Sequence, residues 1–102
     1  MMKLSNKQRR PTMATLQALE SKISELTETQ LIEGVAIIYK NIKENISKPE
    51  VKLVYDKLFD EIIERLEKSI YHITEETAYF AKYEELEDLL WLKIEAEAAK
   101  IA

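Results

Sequence analysis

Apolar residues in this chain recur at intervals of three and four, the spacing that lines up one face of an α-helix. Leu16, Leu19, Ile23 and Leu26 form a first stripe, confined to about 80° of a helix surface. Leu31, Val35, Ile38, Ile42 and Ile46 form a second, with Ile32 and Tyr39 beside it. A third, broader set runs Val51, Val54, Tyr55, Leu58, Phe59, Ile62, Leu66, Ile70 and Ile73. Its width predicts a central helix. The fourth stripe is Tyr79, Tyr83, Leu86, Leu90, Ile94 and Ile101. No segment of five residues alternates cleanly between apolar and polar, so no strand is expected.

The polar residues between the stripes supply the stops. Thr12 after Pro11 caps a helix expected from about Met13 to Leu26. Thr27-Glu28-Thr29-Gln30 has capping-box spacing: the threonine hydroxyl accepts a free backbone N–H, and the glutamine reaches back. The second helix is expected to continue to Ile46. Ser47-Lys48-Pro49-Glu50 is a second candidate box, with Pro49 in the first turn. After Pro49 there is neither Gly nor Pro, and Ile73-Thr74-Glu75-Glu76 is the one candidate break, with Thr74 as cap. Without that break the third and fourth stripes would form one helix of about 50 residues and need a coiled-coil partner. Gly34, inside the second helix, costs about 1 kcal/mol relative to Ala. It marks either a close helix approach or a tolerant position. The expected fold is all-α: a small antiparallel bundle of three or four helices, or a dimer of helical hairpins.

Length and composition narrow this further. The 102 residues fit one domain, here 12–102, preceded by a flexible basic arm, 1–11. Met13-Ala14 also has the form of a translation start, and both readings stay open. A hydrophobic content of 46% fills a core, and one Gly with two Pro leaves little material for loops. The absence of Cys excludes disulfides, thiolate chemistry and Cys-ligated zinc. No apolar run reaches the roughly 18–20 residues of a membrane span. No apolar stretch follows Lys3, Lys7, Arg9 and Arg10, so they do not open a secretory signal, and a cytoplasmic protein is expected. The net charge of −4 is uneven: residues 1–19 hold four basic residues and no acid, leaving 11 basic against 19 acidic residues in the body. An acidic body is a poor general binder of nucleic acid.

Candidate chemistry is sparse. His72 is the single histidine. A di-iron bundle needs Glu-x-x-His on two helices, and the residue three before His72 is Ser69. Neither a structural metal nor a cofactor is expected. Asp60, Glu64, Glu67, Glu84, Asp88 and Glu95 fall opposite the apolar stripes, in water. General acid–base work needs a carboxylate in an apolar pocket. A sharper reading is that Glu84, Asp88 and Glu95 imitate the charge spacing of a nucleic-acid backbone. One Gly cannot build a phosphate-cradling loop, and no nucleophile elbow is present, so no enzyme is expected. In the arm, Lys7, Arg9 and Arg10 are candidate contacts to phosphates or an acidic surface.

The last helix carries more apolar surface than one face needs. Phe80, Trp91 and Ala98 lie about 80° from the main stripe, and Leu89 and Leu92 lie at further angles. Phe80, Trp91 and Leu92 are therefore the candidate partner-binding residues, centred on Trp91. The competing reading is that the first helix covers Trp91 and closes the core. The expected function is a non-catalytic protein-binding regulator or adaptor that self-associates as a homodimer. The alternatives are a nucleic-acid-associated regulator using paired basic arms, or an acidic nucleic-acid mimic.

Overall fold

The computed structural model describes residues 13–101, with side chains from residue 16 onward. The expected arm, with Lys7, Arg9, Arg10 and the Thr12 cap, lies outside the described residues. The described residues are all-helical: α1 (Met13–Ser24), α2 (Glu28–Tyr39), α3 (Ile42–Asn45), α4 (Pro49–Ser69) and α5 (Glu76–Ala99).

The Thr27 box forms as expected. The Thr27 hydroxyl accepts from the Gln30 N–H at 3.1 Å, and Gln30 Oε1 accepts from the Thr27 N–H at 2.9 Å. The break between α4 and α5 takes in the expected Ile73–Glu76 stretch but opens earlier, since α4 ends at Ser69 with Ile70 as C-cap, and α5 is capped not by Thr74 but by Glu75. Its carboxylate accepts from the N–H groups of Ala78 (2.7 Å) and Thr77 (3.3 Å), placing a negative charge at the positive end of the helix dipole. The Ser47 box does not form. Ser47 Oγ donates to the Glu44 carbonyl at 2.6 Å, Lys48 takes the N-cap position without a side-chain bond, and Pro49 opens α4.

The second helix is shorter than its stripe. It ends at Tyr39, and Asn41 leaves helical geometry (φ −128°, ψ 59°) before the single turn of α3. Two side chains hold the break. Asn45 Nδ2 donates to the Ile38 carbonyl at 2.9 Å, and Lys40 Nζ donates to the Ala98 carbonyl at 3.2 Å, at the end of α5. Ile42 and Ile46 still reach the core, now from α3 and its exit.

The core is built chiefly on α2; α4, expected to be a central helix, packs against α1, α2 and α5 but buries fewer residues. Leu31, Val35 and Ala36 are fully buried, and Ile32 and Ile38 nearly so. α2 packs against both α4 and α5. α4 buries Leu58 and Ile62 almost completely, while Val54, Tyr55, Phe59 and Ile63 are only partly covered. Its broad stripe is shared between α1, which seats Ile23 in the core, and α2. Gly34 marks the close approach: a Cβ there would stand 3.1 Å from Leu58 Cδ1.

Candidate interaction surface

α5 has two different faces. Leu90, Ile94 and Ala98 are buried against α2 and its neighbours. Beside them the Trp91 ring lies 5.7 Å from Tyr39 and 5.3 Å from Phe59, and Phe59 in turn meets Tyr55 at 5.5 Å. Trp91 is thus half-buried in an aromatic cluster shared by α2, α4 and α5, and it is not the exposed centre of a patch. The helices that cover it are α2 and α4 rather than the first helix.

The other expected contact residues remain in solvent. Phe80 is 57% exposed and Leu92 is 61% exposed. Phe80 lies three turns before Trp91 on the same line of the helix. It is exposed because the stretch from Glu76 to Glu85 contains no buried residue and only Tyr79 and Tyr83 are half-covered there. Phe80 and Leu92 do not form one patch with Trp91. Leu92 instead neighbours Leu89, which is 45% exposed and is not among the contact residues expected from the sequence. Ala96 and Ala99 continue that outer line, also exposed.

Charges border the outer line on both sides. Glu84, Asp88 and Glu95 are exposed and fall within about 40° of one another around α5. Lys93 and Lys100 lie on the opposite border. Lys93 reaches Glu28 at 3.9 Å and Lys100 reaches Glu97 at 2.9 Å. Among the described residues neither Asp88 nor Glu95 makes an ion pair.

Other candidate chemistry is dispersed. A groove of about 160 Å³ between α2, α4 and α5 is lined chiefly by Leu31, Ile62, Leu66, Leu86, Leu89 and Leu90, below the roughly 300 Å³ usual for a small-molecule site. Asp60, Glu64 and Glu67 are exposed, as expected. Glu64 pairs with Lys68 at 2.9 Å and Glu20 with Lys57 at 2.6 Å. The bonded carboxylates hold both ammonium groups above the ordinary lysine range. Burial pushes the Tyr55 and Tyr83 hydroxyls up, helped at Tyr55 by Tyr39 and at Tyr83 by Glu87 and Glu67. His72 is exposed in the turn between α4 and α5. Among the described residues no three metal-ligating side chains converge, and no helix is long and apolar enough to cross a membrane. No protein-family model, curated protein or solved structure matches this chain.

Proposed function

We propose that this chain is a non-catalytic protein-binding regulator or adaptor of helical-bundle type that works by self-association and helix-mediated docking. One observation carries the reading: α5 completes the core through Leu90, Ile94 and Ala98 while leaving Leu92 on its outer side, and Leu89 next to it at the rim of the groove, in solvent. Single exposed apolar residues are ordinary, but neighbouring ones on a helix with its inner face already satisfied are interface material. The scattered, solvated carboxylates and the engaged cations fit a binding role better than a catalytic one. In this reading the fold is a small bundle that serves to present one two-faced helix.

The test is the double variant Phe80→Ser/Leu92→Ser. Its stability is expected to stay within about 0.5 kcal/mol of the parent, as for exposed sites. Its self-association, and binding to proteins that co-purify with the parent from the native host, are expected to fall. A folded double variant that keeps every association of the parent would overturn the reading. So would a loss of several kcal/mol, which would make these side chains structural.

A further inference from the structure

The outer face of α5 has a second, independent periodicity. Starting from Lys82, positions 82, 85, 89, 92, 96 and 99 follow a spacing of three and four through Lys, Glu, Leu, Leu, Ala and Ala. This is the a/d seam of a heptad, with Leu89 and Ala96 at a and Leu92 and Ala99 at d. On a helical wheel the seam centres about 180° from Ile94, so Leu92 and Ala99 point away from the core while Leu89 and Ala96 border the grooves beside α2. The four apolar members, from Leu89 to Ala99, are all exposed.

The seam is bordered by a sign-separated pair of flanks. Asp88 and Glu95 occupy the two g positions, and Lys93 and Lys100 occupy the following e positions, each five residues later. Five residues is the g-to-e′ offset across a parallel two-stranded coiled coil. A second copy of α5 laid parallel and in register therefore sets Asp88 against Lys93 of the second copy and Glu95 against its Lys100. The symmetry repeats both pairs. The antiparallel arrangement brings like flanks together, with Asp88 facing Glu95 of the second copy. Asp88 and Glu95 are unpaired among the described residues, Lys93 reaches Glu28 only at 3.9 Å, and Lys100 would have to share or exchange its exposed pair with Glu97 (2.9 Å).

We propose that the occupant of this face is a second copy of the chain, docked through a parallel, in-register pairing of the α5 helices from Leu89 to Lys100. This rests on the self-association reading above and specifies its geometry. Ala96 and Ala99 let the helices approach closely but contribute little apolar area. Glu85 would meet its own copy at a d position and limits the seam at its N-terminal end. The expected dimer is accordingly weak and concentration-dependent, with orientation set by the flanks.

The chain has no cysteine, so single-cysteine variants read the orientation directly. Leu89→Cys and Ala96→Cys, made separately in the full chain, are each expected to form a disulfide-linked dimer under mild oxidation. Equivalent positions meet along the whole seam only in a parallel pair; an antiparallel pair brings at most one position against itself. In sedimentation, Leu92→Glu should abolish the dimer with helicity retained. Asp88→Lys/Glu95→Lys should weaken it about tenfold, since four modest pairs become four repulsions. Mixing that variant with Lys93→Glu/Lys100→Glu should restore association. A dimer that links through one or neither cysteine, or that survives Leu92→Glu, overturns this pairing and leaves self-association to another face. A chain that is monomeric at all concentrations but still binds a host protein through Phe80 and Leu92 overturns the pairing while the docking function stands.

Discussion

The indole of Trp91 lies within 5.7 Å of the ring of Tyr39 and 5.3 Å of that of Phe59, so one side chain of α5 touches both α2 and α4. Aromatic contacts of this kind add about 0.5–1.5 kcal/mol each beyond buried area. Trp91→Ala is expected to cost about 3 kcal/mol in denaturant unfolding, the lower end of the range for large core aromatics because the ring is only half-buried. Trp91→Phe should recover much of that. A loss under about 1 kcal/mol would mean the cluster does not hold the helices. The place of Trp91 on the same helical line as Phe80 was readable from eleven residues of spacing. Which part of that line α2 covers was not, because coverage depends on where a separate helix lies. Gly34 is a similar case: the glycine was visible, but its reason, Leu58 at 3.1 Å, belongs to another element.

At the scale of the element, the caps divide by the range of their bonds. The Thr27 box closes over three residues, and such local exchange follows from sequence alone. The end of α2 at Tyr39 does not. No Gly or Pro marks it, and the bonds that hold it come from Asn45, seven residues on from Ile38, and from Lys40 to Ala98, fifty-eight residues on. A stripe that continues through Ile42 and Ile46 cannot reveal that the backbone has turned between them. Glu75 displaced Thr74 as a cap because a carboxylate satisfies two N–H groups and the helix dipole together. The seam on the far side of α5 was also legible, in the five-residue offsets from Asp88 to Lys93 and Glu95 to Lys100, but only once the inner face had been assigned to the core. Asn45→Ala is expected to cost about 1 kcal/mol, the usual net value of a hydrogen bond, by leaving the Ile38 carbonyl without its donor. Hydrogen exchange should then speed in α3 and the last turn of α2 before it speeds in α5. Uniformly faster exchange would show that Asn45 stabilises the whole fold rather than this break.

Across the whole molecule, the displaced proton affinities point in one direction. Tyr55 and Tyr83 are raised mainly by burial, and Lys57 and Lys68 by hydrogen bonds to Glu20 and Glu64. A group that binds its proton more tightly when folded makes the native state hold more protons than the unfolded chain, so stability falls as pH rises across that group's range. The ordinary values are 10.0 for tyrosine and 10.5 for lysine. The lysine pairs therefore contribute fully below these values and lose their contribution as pH climbs through the raised ones. The tyrosines oppose folding only once phenolate becomes the favoured form in the unfolded chain. The two lysine pairs are on the surface, so their share is small and salt-sensitive. The melting temperature is expected to stay nearly level from pH 7 to about 9.5 and to fall beyond pH 10. Tyr55→Phe and Tyr83→Phe should each shallow that fall and remove part of the late phenolate absorbance, while 0.5 M salt should reduce chiefly the lysine share. A fall that begins well below pH 9, or one that both phenylalanine variants leave unchanged, would show that these two partly covered hydroxyls do not set the alkaline limit of this fold.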